Sequence, residues 1–116
     1  MDSRDKVVEM IIEQGQNVLA SMKDLKRSAH KKGRERSKLY ERFVANEHSF
    51  NVYLYIDAEN EQLTEVQHFQ HKVELFRELF TGVQTDFDKE VDVKTVEPIY
   101  EETNFAYKSL KNVLEG

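Results

Sequence analysis

Apolar and polar positions alternate along this chain with a helical rhythm. In the second half, Val66, Phe69, Val73, Phe76, Phe80, Val83 and Phe87 follow intervals of three and four in turn, with mostly polar residues between them apart from Leu75 and Leu79. That spacing places all seven on one edge of a helix, which has to lie against other helices in its own chain or in a partner. The same alternation runs through Val8, Ile11, Gly15, Val18, Met22, Leu25 and Ala29, so residues 3 to about 32 are predicted to form a first helix. Ser3 or Asp2 suits its start, acids lead and bases trail along its dipole, and Gly33 suits a left-handed C-terminal cap. A glycine on the apolar edge costs roughly 1 kcal/mol against alanine, so Gly15 predicts close approach by a neighbouring helix.

Residues 35–56 carry two patterns at once. Tyr40, Phe43, Glu47, Phe50 and Leu54 continue a helical edge, whereas Phe50, Val52, Leu54 and Ile56 alternate with Asn51, Tyr53, Tyr55 and Asp57 as in a strand. A strand needs a partner for its backbone groups, and the best one is the short run 91–95, so helix is favoured. In a strand, Tyr53 and Tyr55 would face away from the apolar side and form a contact surface. The edge ending at Leu54 and the edge counted back from Val66 through Leu63 and Glu59 to Ile56 are out of phase by two residues. One straight helix cannot serve both, so a break is expected near residues 54–58, with Asp57 as N-cap and Glu59 and Glu61 in the turn behind it. A third helix is predicted over 57–87. A fourth, over 95–114, has Ile99, Thr103, Ala106, Leu110 and Val113 on its edge, widened by Tyr100, Tyr107 and Leu114, and Pro98 in its first turn.

The expected fold is all-α: a single domain over residues 1–116, built from three to four long antiparallel helices in a bundle or coiled-coil-like arrangement. Composition supports this. Charged residues make up 34% and the chain has only four Gly and one Pro, too few for a protein rich in tight turns. It has no Cys, which excludes disulfides and thiolate chemistry. Neither a signal peptide nor a membrane-spanning run is recognisable, so the expected setting is the soluble cell interior, cytoplasm or nucleus.

Charge is unevenly distributed. Residues 1–22 carry −2, residues 23–38 carry +6 and residues 39–116 carry −9. The basic band holds Lys23, Lys26, Arg27, Lys31, Lys32, Arg34, Arg36 and Lys38. Within it, Lys23, Arg27, Lys31, Lys32, Arg34 and Arg36 are the candidate anion-binding residues, for nucleic acid or an acidic membrane. No aromatic is interleaved for base stacking, and the acidic remainder would repel a long polyanion.

Two motifs resemble metal sites in part. Glu65 and His68 have the E-x-x-H spacing of half a di-iron bundle site, with His71 nearby, but no second copy exists and Val66 and Phe69 take the inward positions. Residues 86–97 place Asp86, Asp88, Glu90, Asp92 and Glu97 in the frame of a calcium loop, yet Val91 stands where the sharp turn needs Gly and Lys94 adds a positive charge. Neither motif leads to an assigned metal or cofactor, and no nucleophile constellation or small-molecule site is evident. These motifs single out no family. The expected function is therefore non-enzymatic: an adaptor, assembly subunit or small regulatory binder that meets a protein partner or its own copy. Tyr53, Tyr55, Phe76 and Phe80 are its expected contact residues, with the anionic partner as the alternative.

Overall fold

In a computed structural model, 93% of the described residues are helical, in five helices without a strand. The description covers residues 3–28, 34–81 and 91–116. The helices are α1 (Ser3–Arg27), α2 (Arg34–Ile56), α3 (Ala58–Glu61), α4 (Thr64–Thr81) and α5 (Val93–Glu115). Side-chain pairs fix the topology. Tyr107 meets Ile12 while Glu97 meets Lys26, so α1 and α5 run antiparallel. Asn46 meets Asn17, Arg77 meets Glu47 while Gln70 meets Asn51, and Lys72 meets Glu102 while Phe69 meets Tyr107. The four long helices thus form an up-down-up-down bundle.

The edges anticipated from spacing are the edges that face inward. Ile11, Val18, Met22 and Leu25 of α1, Phe43, Phe50 and Leu54 of α2, and Val66, Phe69, Val73, Phe76 and Phe80 of α4 are buried. From α5 come Val96, Thr103, Ala106, Tyr107 and Leu110. Full burial of a large apolar side chain is worth about 1.5–3 kcal/mol, so these residues dominate stability. Rings form a layer between α2 and α4. Phe43 meets Phe76 edge-on at 5.5 Å between centroids, Phe50 meets Phe69 at 5.1 Å, and Phe76 lies 5.2 Å from Phe80. Their bulk holds these two helices further apart than the α1/α2 and α4/α5 pairs.

The break falls where the two edges lose phase. Asp57 caps α3, its carboxylate accepting from the Asn60 backbone N–H, and Glu59 and Glu61 occupy the turn behind it. The chain reverses through this one-turn helix, Leu63 N–H donates to Asn60 C=O, and α4 starts at Thr64. A second interruption at residues 62–63, which the spacing does not announce, separates α3 from α4. Val83 and Phe87, expected on the same edge, lie outside the described residues.

Two boundaries and one edge residue differ from expectation. The α-helix of α1 ends at Arg27 rather than near residue 32, and Ser28 follows it, its N–H donating to the Asp24 and Leu25 carbonyls and its hydroxyl to Leu25 C=O. Gly33 lies outside the described residues. Helix α5 begins at Val93, capped by Asp92, so Pro98 falls beyond the first turn. There its missing N–H would otherwise have reached the Lys94 carbonyl. Val113, expected on the edge of α5, is exposed.

Gly15 meets its predicted neighbour. A Cβ there would lie 2.9 Å from Tyr107 Cε2 and 3.4 Å from Phe50 Cε2. The bare backbone lets the Tyr107 ring lie against α1, where its hydroxyl donates to Ile12 C=O at 3.0 Å. Burial, then the charge of Glu115, raises the Tyr107 phenol above its ordinary range. Among the described residues no buried side-chain polar atom lacks a partner.

Candidate interaction surface

Helix α2 is apolar on two opposite faces. Its inward row is Phe43, Glu47, Phe50 and Leu54. Its outward row, also at four-residue spacing, is Val44, His48, Val52 and Ile56, flanked by Ala45 and Tyr55, and all six are exposed. Val52 keeps 43% of its surface, Ile56 60% and Tyr55 81%. A helix normally turns a polar stripe to solvent. This geometry resolves the strand-like run over residues 50–56. Phe50 and Leu54 point in, Val52 and Ile56 point out, and two helical i, i+4 pairs on opposite faces add up to a period of two.

The expected contact residues separate accordingly. Tyr55 lies on the outward surface, while Tyr53 is half-buried and packs on the core. Phe76 and Phe80 correct the expectation. Both are almost completely buried, because α1, α2 and α5 close over the edge of α4, and neither is presented to a partner. Val44, Val52 and Ile56 were not expected on the surface, although the period-two run signalled the last two.

The ring layer leaves a cleft of ≈ 350 Å³ between α2 and α4, lined by Val18, Glu47, Phe50, Asn51, Val73 and Arg77, among others. Arg77 Nη1 donates to Glu47 Oε1 at 2.8 Å across its mouth, and Gln70 Nε2 donates to Asn51 Oδ1 at 3.1 Å. Burial lowers the tendency of Arg77 to hold its proton. The hydrogen bond it donates to Glu47 and the charges of Glu47 and Glu74 outweigh that, and its pKa is raised. The pair accounts for the one acid on α2's apolar edge: Glu47 is buried because α4 brings Arg77 to it. These four polar side chains are engaged with one another across the cleft, which makes them a bridge between helices rather than a convergent reactive set.

The basic band is divided. Lys23 and Arg27 are exposed one turn apart on α1. Arg36 is buried, which corrects its placement on an anion-binding surface. Lys31 and Lys32 lie outside the described residues, as does the side chain of Arg34. Lys26 is turned to α5, where its Nζ lies 3.7 Å from Glu97 Oε1 and 4.7 Å from the Tyr100 ring centroid. Burial, with help from Glu101 and against Arg27, raises the Tyr100 phenol.

The metal motifs are likewise separated. His68 and His71 are exposed, Glu65 is half-buried, and no three metal-ligating side chains meet among the described residues. His68 instead borders a shallow hollow with Lys72, Glu101, Glu102 and Phe105, in which Lys72 bonds Glu102 at 3.0 Å. Of the calcium-loop frame, residues 86–90 lie outside the described residues, Asp92 is spent as the cap of α5, and Glu97 faces Lys26.

No family model, curated protein or solved structure matches this chain. Its function has to be argued from its own surfaces. No helix among the described residues is long and apolar enough to cross a membrane.

Proposed function

We propose that this chain is a non-enzymatic protein–protein interaction module, an adaptor or assembly subunit, whose contact surface is the outward face of α2. The observation that carries the reading is the row Val44, Val52 and Ile56 with Tyr55, exposed on a helix whose other face already fills the core. Apolar surface left in water along one helix face is characteristic of contact surfaces. An aromatic residue with a polar tip, as Tyr55 is here, is a common anchor in them. The cleft supports the non-enzymatic part, because its polar groups bridge helices.

The test compares the full chain with a Val52→Glu/Ile56→Glu variant. Both positions are exposed, so the variant should keep its helical circular dichroism and its melting temperature. A partner retained from the native source by the unmodified chain should be lost by the variant. Identical retained sets would sink the reading. Binding of an anionic partner through Lys23 and Arg27 is the second reading, supported by their shared exposure one turn apart. It requires binding that weakens steeply with salt and is lost in Lys23→Glu/Arg27→Glu.

A further inference from the structure

A hollow of ≈ 360 Å³ opens along the seam between α1 and α5. Buried Leu19 and Tyr107 lie at its base with the half-buried Tyr100 beside them, and Ala20 is too small to cover them. Asn104, Lys108 and Lys111 border it from α5, and Gln16 from α1. No acid lines it, so in a chain of net charge −5 the hollow is a local reversal of sign. Glu97 is held by Lys26, and Glu101 and Glu115, whose charges reach the Tyr100 and Tyr107 phenols, stand outside the lining.

Its polar groups differ from those of the cleft between α2 and α4. There, four side chains bond one another. Here, among the described residues, the side chains of Gln16, Asn104, Lys108 and Lys111 make no hydrogen bond or ion pair within the bundle. Asn104 and Lys111 are nonetheless half-buried. A half-buried ammonium has given up part of its hydration without a protein charge in return, and an anion can supply that charge. Lys108 and Lys111 are three residues apart, which makes them neighbours on one helix face, so a single carboxylate is within reach of both. The volume is near the lower end of the range for ligand sites, which suits a molecule of one ring.

We propose that this hollow binds a small organic anion, a single ring or short apolar body carrying one carboxylate. The body lies over Leu19 and Tyr107, and Lys108 and Lys111 hold the carboxylate, with the Asn104 amide as a neutral donor. Burial of the body contributes affinity, and the two charges select the anion over a neutral molecule of the same shape. The site goes beyond the interaction-module reading, which concerns α2, and neither depends on the other.

Benzoate is the probe, titrated into the full chain with amide chemical shifts as the readout. It should shift the amides of Ala20, Asn104 and Lys108 together and saturate at about millimolar concentration, as befits so small a ligand. Benzyl alcohol, which keeps the ring without the charge, and inorganic phosphate, which keeps charge without the ring, should each bind at least about ten-fold more weakly. Lys108→Gln/Lys111→Gln should weaken benzoate at least about ten-fold, with circular dichroism and melting temperature unchanged. Ala20→Leu, an exposed position given a good helix former, fills the hollow and should weaken benzoate with both lysines in place. Lys38→Gln/Arg42→Gln, exposed on α2, should leave binding as it was. The proposal is overturned by the absence of a saturable shift up to about 50 mM benzoate. It is equally overturned if benzyl alcohol or phosphate matches benzoate, if Ala20→Leu binds as the unmodified chain does, or if the α2 variant weakens binding as much as the α5 variant.

Discussion

Helices α2 and α4 face each other across one ring layer, contribute phenylalanines to it at matching heights, and differ on their backs. The back of α4 carries Thr64, Gln67, His71, Glu74 and Glu78, all exposed and polar. The back of α2 carries Val44, Val52, Tyr55 and Ile56. Both inward rows obey the same demand, because the bundle has one core and each helix must fill its share. The outward rows are free of that demand, so their difference is not explained by folding. The inward half of α2 is what makes the protein a bundle, and its outward half is what makes the bundle available to something else.

The largest effect should come from the shared inner layer. Phe43→Ala on α2 and Phe76→Ala on α4 should each cost about 3–5 kcal/mol in denaturant unfolding, because each leaves a cavity against the other's ring. The double variant should lose less than the two losses combined, and full additivity would mean that the layer is not a unit. Next comes the bridge across the cleft. Arg77→Ala should cost about 2–3 kcal/mol near neutral pH, as it leaves the Glu47 carboxylate buried without its partner. Glu47→Gln should cost less than Arg77→Ala, since Arg77 is partly exposed and can be rehydrated; equal losses would show that water reaches both groups alike. The smallest effects should fall on the backs. Val52→Gln and Gln67→Val should each change stability by no more than about 0.5 kcal/mol. A loss above about 1 kcal/mol at Val52 would mean that α2's outer face supports the monomer, and the contrast between the helices would collapse.

Most of the fold was legible because burial imposes a period. The spacing picked out Gly15, Val18, Phe43, Glu47, Phe50, Leu54, Phe69, Val73, Phe76, Phe80, Thr103 and Leu110, all of which face inward. The break was legible through loss of phase and through Asp57, whose side chain caps a helix in the expected place. Val96 and Val91, also buried, were not assigned to the core. The contact surface was the hardest part to see. A sequence shows which residues are apolar but not which side of a helix they occupy when two sides are apolar, so the back of α2 presented itself as half a strand. Phe76 and Phe80 were read as contact residues for the converse reason: their size demanded cover, and nothing in their spacing tells whether that cover comes from the same chain. Arg36 shows the same limit for charge, since a basic residue counted in a surface band is buried in the bundle.

The close fit of Tyr107 against Gly15 bears on the order in which the chain assembles. The ring and its bond to Ile12 span 95 residues of sequence, whereas α1 with α2 and α4 with α5 are neighbours along the chain. Local pairs close at little entropic cost, and the contact that joins α5 to α1 comes late. Gly15→Ala, which sets a methyl group against that ring, should cost about 1–2 kcal/mol, the strain being offset by a better helix former. Nearly all of that cost should appear as faster unfolding, with the folding rate almost unchanged. The tyrosine on the bare glycine would then act as a latch: it contributes little to how quickly the bundle forms and much to how long it lasts.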